Sequence, residues 1–149
     1  MLAEVMRESA YRAYRARFGV FLPIPLGASD QDIHELIEAG FLAASVKVLS
    51  DRGKLSVVGR DQIIPLKTLK KRLANGQRLT VNQSDRLFRV VHITAMAEVL
   101  FENDEKARRW LSKPKTRFSG KSPIAMLSTS PGTRQVEEVL IQFAEGLVF

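Results

Sequence analysis

The chain has 149 residues, of which 45% are hydrophobic and 26% charged, a balance that allows one or two small domains with a buried core. It contains no cysteine, which excludes disulfides and thiolate metal sites. The net charge of +7 favours a polyanionic or acidic partner, with nucleic acid as the first candidate. No apolar run approaches the roughly 18 residues of a membrane span, and no signal pattern begins the chain, so we expect a cytoplasmic protein without membrane contact.

Residues 1–26 are expected to form an amphipathic helix and a proline-containing connector. Tyr11, Tyr14 and Phe18 recur with helical spacing on one face. The two alternate prolines of the segment GVFLPIPLG then forbid a helix and favour an extended chain. We expect the helix to pack on the body of the protein or on a second copy. Contact of its arginines with DNA is the alternative.

Residues 27–84 are expected to form a helix-turn-helix domain. Ser29 is a suitable N-cap for its first helix, with acidic residues in the first turn, and Gly40 would end that helix or mark a bend. A further helix is closed by Gly53, and a short helix begins near Ser56.

A basic helix from Pro65 to Ala74 follows this short helix after a tight turn, an order typical of helix-turn-helix proteins. No acidic residue lies between Asp61 and Asp85, while five basic residues do. We therefore predict that the DNA-binding residues are Lys67, Thr68, Lys70, Lys71, Arg72 and Arg78. A solvated basic face on a core helix is the alternative.

Residues 85–149 are expected to form a small helical domain, which makes the whole chain all-α. A long buried helix carries apolar residues with helical period from Leu87 to Phe101. Three short helices should follow, at residues 103–111, from Ser122 as N-cap with a proline at the first helical position, and at residues 133–145.

Neither a metal site nor a catalytic site is expected. The histidines, His34 and His92, are far apart and lack a metal-ligand spacing. No glycine-rich phosphate loop or nucleophile-and-base pair is present, so we expect no cofactor and no enzyme activity. The acidic residues of the last third, among them Glu98 and Asp104, are interpreted as helix caps and solvated faces.

Three segments, KARRWLSKP, GKSPIAMLST and PGTRQVEEVLIQFAEG, resemble the C-terminal toxin-binding domain of the Xre/MbcA/ParS antitoxins. The positions that match in order are Ala107, Trp110, Leu111, Gly120, Ser122, Pro123, Leu127, Gly132, Val136, Leu140 and Gly146. The upstream segments TLKKR and SDRL resemble the end of the family's Xre-like helix-turn-helix. Asp61 and Gln62 depart from that pattern, since apolar residues are usual there.

This resemblance implies an antitoxin of a type II toxin–antitoxin system. The implied partners are a RES-domain toxin that consumes NAD⁺, operator DNA and a second copy of the chain. The implied toxin-binding residues are Gln142, Glu145, Gly146, Leu147, Val148 and Phe149.

The last three residues could fill a concave pocket of the toxin, and their terminal carboxylate could pair with its arginines. The alternative for this tail is that it folds back on its own domain. The alternative for the whole protein is a stand-alone helix-turn-helix transcriptional regulator with a C-terminal dimerisation or sensing domain.

Overall fold

The computed structural model describes Met6 and residues 8–146 of the chain. Within that part every regular element is helical apart from two isolated backbone bridges, which confirms the all-α fold. The α-helices are α1 (Glu8–Phe21), α2 (Asp30–Ala39), α3 (Ala43–Asp51), α4 (Val57–Ile63), α5 (Leu66–Ala74), α6 (Val81–Phe101), α7 (Asp104–Ser112) and α8 (Ser130–Ala144). Two 3-10 helices, Thr116–Phe118 and Ile124–Ser128, lie between α7 and α8.

Helix α6 is the centre of the molecule, and α1, α2, α4, α7 and α8 all pack against it. Its residues Ile93, Ala95, Met96 and Ala97 are completely buried, because neighbours cover the helix on several sides. The predicted division between residues 84 and 85 falls inside α6, so both predicted domains share this helix. The division itself stays a prediction.

The aromatic face of α1 packs on the body of the protein, which was one of the two arrangements expected for this helix. Tyr14 and Phe18 are buried, and the Phe18 ring lies 5.5 Å from the Phe88 ring on α6. Helix α1 is therefore part of the core.

Capping side chains set several helix starts, and those at Ser29 and Ser56 lie where the sequence predicts them. Ser29 forms a capping box with Asp32 at the start of α2, and Thr80 forms one with Gln83 at the start of α6. The Ser56 hydroxyl accepts the Gly59 N–H at the start of α4.

Two predicted helix starts and one helix type differ from the structure. Helix α8 begins three residues before Thr133, because the Thr129 hydroxyl accepts the Gly132 N–H and a proline occupies the first turn. Pro65 is the N-cap of α5 instead of its first helical residue. The segment after Pro123 forms a 3-10 helix, a form that is common in short connectors between α-helices.

Two glycines allow close backbone approaches. Gly40 ends α2 at φ +86°, and a Cβ there would lie 2.5 Å from the Leu79 carbonyl oxygen. A Cβ on Gly132 would lie 2.0 Å from the Met126 carbonyl oxygen. The first contact holds the chain entering α6 against the end of α2, and the second holds α8 against the preceding 3-10 helix.

Candidate functional site

Helices α4 and α5, which the sequence predicts to be a helix-turn-helix pair, are joined by a two-residue turn. Ile63 and Ile64 at this turn are buried, as is Leu69 on α5, so the apolar side of α5 is held against the body. The side chains of Lys67, Lys70 and Lys71 are exposed, and Thr68 is half-buried. Three of the predicted DNA contacts therefore face solvent on one short helix.

The two predicted DNA-contacting arginines also hold the loop after α5. Arg72 donates from Nη1 to the carbonyl oxygen of Arg78 at 3.1 Å. Arg78 in turn donates from Nη1 to the carbonyl oxygen of Gly40 at 2.7 Å. The Arg72 guanidinium is therefore tied to the loop after α5, and the Arg78 guanidinium to the end of α2.

A shallow pocket of about 470 Å³ lies on this surface. It is lined by Lys67, Thr68, Lys71, Arg72 and Gln77. The lining combines cationic groups, a hydroxyl and an amide, which are donors that suit phosphate oxygens.

The two residues that depart from the family pattern lie on α4. Asp61 is exposed and pairs with Arg60 at 2.6 Å, so its charge is compensated locally. Gln62 is half-buried, and its Oε1 finds no hydrogen-bond partner among the described residues.

The predicted toxin-binding residues lie at the end of α8. Val136 and Leu140 are completely buried and anchor this helix in the core. Gln142, Glu145 and Gly146 are exposed. Leu147, Val148 and Phe149 lie outside the described residues.

An aromatic row that sequence reasoning missed runs beside the end of α8. The Phe143 ring lies 4.8 Å from the Phe101 ring, which lies 5.6 Å from the Trp110 ring. The Lys115 ammonium lies 5.3 Å from the centre of the Trp110 ring. These residues come from α6, α7, α8 and the loop after α7, so the sequence offered only Trp110 as a signal.

Glu98 is buried, contrary to the expected solvated face. Only 4% of its side chain is exposed, and it pairs with Arg17 at 3.0 Å and with Lys54 at 2.7 Å. Asp104 extends the cluster, with one oxygen 3.2 Å from Lys54. A burial-driven lowering of the Lys54 pKa is outweighed by the two carboxylates, so its pKa lies above the usual value.

His92 connects three helices through hydrogen bonds at both ring nitrogens. Its Nε2 lies 2.7 Å from a Glu137 carboxylate oxygen on α8, and its Nδ1 lies 2.5 Å from the Tyr14 hydroxyl on α1. Since the carboxylate can only accept, Nε2 donates to Glu137, and whenever the ring is neutral Nδ1 is the acceptor for the Tyr14 hydroxyl. The hydrogen bond from His92 lowers the Glu137 pKa, and burial raises the Tyr14 pKa.

Neither a metal site nor a membrane span is found where the structure is described. No group of three or more His, Cys, Asp or Glu side chains is arranged to hold a metal ion in Met6 and residues 8–146. Over the same residues no helix combines the length and apolar character that crossing a bilayer requires.

The chain is similar in sequence to known antitoxins. Residues 96–146 match the family model described as the antitoxin Xre/MbcA/ParS C-terminal toxin-binding domain. A Pseudomonas putida protein named antitoxin Xre is 58% identical over 146 residues, covering 98% of this chain and 92% of that protein. A Yersinia enterocolitica protein of the same name is 31% identical over 85 residues, covering 56% of this chain and 57% of that protein.

Proposed function

The chain belongs to the Xre antitoxin family, and on that premise we propose that it neutralises a RES-type, NAD⁺-consuming toxin by direct binding. The observation that carries this proposal is the 58% identity to an Xre antitoxin over 98% of the chain. The match of residues 96–146 to a toxin-binding domain supports it independently. The RES class of the toxin is what the resemblance of the C-terminal motifs to the family implies.

The end of α8 and the tail are proposed to contact the toxin. Helix α8 is anchored by its buried apolar face, while Gln142, Glu145 and Gly146 are exposed at its end. Gly146 has φ +80°, a left-handed conformation that turns the chain out of the helix. Leu147, Val148 and Phe149 would then enter the NAD⁺ cleft of the toxin, because a few side chains packed in a desolvated pocket can supply most of the affinity of an interface.

Binding of the chain's own operator is proposed as a second role, with a homodimer as the DNA-binding form. Lys67, Lys70 and Lys71 would neutralise DNA phosphates, and Thr68 lies in the pocket beside them. Arg72 and Arg78 hold the neighbouring loop and would contact the DNA backbone with their remaining N–H groups. A twofold dimer would match a palindromic operator.

Cellular NAD⁺ tests the toxin assignment directly. NAD⁺ is measured while the adjacent candidate toxin gene is induced alone, with the full chain, and with a chain lacking Leu147–Phe149. We expect depletion by the toxin alone, protection by the full chain and loss of protection by the truncated chain. A variant with three serines in place of Leu147–Phe149 keeps the length and removes the apolar groups, so it should also fail to protect.

The outcomes separate the parts of the proposal. Full protection by the truncated chain would disprove the blocking tail and leave neutralisation intact. A toxin that leaves NAD⁺ unchanged, or a full chain that gives no protection, would disprove the RES-type assignment. Circular dichroism of both tail variants checks that the helical fold is kept.

A further inference from the structure

The chain contains a second acid-free stretch, longer and more basic than the one around α5. Between Glu105 and Glu137 there is no acidic residue. Eight basic residues lie there, namely Lys106, Arg108, Arg109, Lys113, Lys115, Arg117, Lys121 and Arg134. The stretch around α5 has five, so the strongest local excess of positive charge lies in the C-terminal region.

Part of this charge is gathered on one surface around Trp110. Lys115 lies over the Trp110 ring at 5.3 Å. Lys121 lies opposite Lys115 in an isolated antiparallel bridge, in which the Lys115 N–H donates to the Lys121 carbonyl at 3.0 Å. Lys113 is exposed two residues before Lys115. We call these three lysines, Trp110, Phe101 and Phe143 the basic–aromatic surface.

The positive charges of this surface are not compensated within the described part of the chain. No ion pair there involves Lys113, Lys115 or Lys121. Burial and the neighbouring charge of Lys113 together lower the Lys115 pKa. Glu105, the acidic residue of α7 that is nearest to Lys113 in the sequence, pairs with Arg108 at 2.5 Å. An anionic partner would relieve this mutual repulsion.

The surface is continuous with the proposed toxin contact. Phe143 lies one helical turn before Gly146, and its ring contacts Phe101, which contacts Trp110. All these residues lie within the matched segment 96–146. A partner that contacts the exposed end of α8 can therefore also contact the lysines, because the aromatic row connects the two regions.

The chemistry favours a protein carboxylate surface over a nucleic acid. Stacking of a base needs an open aromatic face, but Trp110 is half-buried, with Lys115 over its ring and Phe101 at its side. Cations placed beside apolar rings instead match an interface with an apolar centre and a charged rim.

We propose that the basic–aromatic surface docks an acidic patch of the toxin, beside the cleft that receives the tail. This inference rests on the proposed function, because it names the chemistry of the toxin's second contact. The tail would block the cleft. The lysines would attract the toxin and orient the two proteins as they meet.

Charge reversal in the full-length chain tests this surface. Lys113→Glu with Lys121→Glu changes two exposed side chains and leaves the Lys115–Trp110 contact in place. We expect about tenfold weaker binding to purified toxin at low salt, chiefly through slower association, and a shallower salt dependence. The matched control, Lys70→Glu with Lys71→Glu on α5, has the same charge change and should alter toxin affinity by no more than about twofold.

The possible results separate a failure of the docking proposal from a failure of the proposed function. Unchanged toxin affinity and salt dependence in Lys113→Glu/Lys121→Glu, together with loss of binding on tail deletion, would overturn the surface and leave the proposed function standing. A wild-type chain that does not bind the toxin would overturn both. Loss of binding to an operator duplex with unchanged toxin affinity would assign the surface to DNA phosphates and overturn the inference.

Discussion

Helix α5 and the basic–aromatic surface both carry several lysines, but the groups beneath those lysines differ. On α5, Lys67, Lys70 and Lys71 project from a short helix whose buried contact is Leu69. On the basic–aromatic surface, Lys115 lies over Trp110, whose ring packs against Phe101.

This difference indicates different partners for the two surfaces. Flexible lysines on an exposed helix suit the regular, repeated charge of a nucleic acid backbone. A lysine positioned over packed aromatic rings suits a single protein surface with complementary shape and charge. Charge counted along a sequence does not separate the two cases.

The largest expected effect tests whether the C-terminal surface depends on the close packing of α8. Gly132→Ala should lower the free energy of unfolding by about 3 kcal/mol, because overpacking forces the backbone to shift. The added Cβ would lie 2.0 Å from the Met126 carbonyl oxygen. Urea denaturation followed by circular dichroism measures the change.

Gly27→Ala is the matched control for this substitution. Its Cβ would meet no atom within 4 Å, and its φ is not positive. The free energy of unfolding should stay within about 0.5 kcal/mol of the wild type. If Gly132→Ala were equally stable, the close contact with Met126 would not be what positions α8.

The second largest effect is expected on operator binding, when two lysines of α5 are changed. Lys70→Glu with Lys71→Glu should weaken operator binding about tenfold, because two phosphate contacts are lost. The slope of log affinity against log salt should fall by about 2. Fluorescence anisotropy of an operator duplex over a salt series measures both quantities. Unchanged affinity would move the DNA contact elsewhere, for instance to the arginines of α1.

The smallest expected effect concerns the link between α1 and the C-terminal region through His92. The Glu137 pKa in the folded protein lies below the ordinary value of 4.5, chiefly because of the hydrogen bond from His92. Its contribution to stability is therefore present above pH 4.5 and is lost as the pH falls through the lower, folded value. Glu137→Gln removes this titration, so less stability should be lost on acidification, by about 0.5 kcal/mol at this partly exposed site.

Urea denaturation midpoints at neutral and acidic pH measure this effect. Glu138→Gln, on the neighbouring exposed position of α8, is the control and should keep the acid sensitivity of the wild type. Equal acid sensitivity in Glu137→Gln and the wild type would show that the His92 contact does not stabilise the fold.

Local sequence signals predicted most of the helices. Caps such as Ser29, Ser56 and Thr80 act within three residues of themselves, so their effect can be read directly from the chain. The start of α8 was predicted at Thr133, three residues too late, because the Thr129 hydroxyl, which accepts the Gly132 N–H, was not recognised as the cap.

Local signals could not predict which charged side chains are buried and with which partners they pair. Glu98 was interpreted as solvated, yet it is buried between Arg17 and Lys54. Those partners lie 81 and 44 residues away in sequence. No local pattern encodes a pairing over such separations, because it depends on which helices pack together.

The sequence was sufficient for the all-α character, the main helix boundaries and the family, since these follow from local capping, helical periodicity and short motifs. Packing around α6 determines which charged residues are buried in pairs. It also determines that the lysines of α5 stay exposed and that Lys115 lies over the aromatic row. These outcomes depend on contacts between helices that are distant in sequence, and such contacts exist only once the chain has folded around α6.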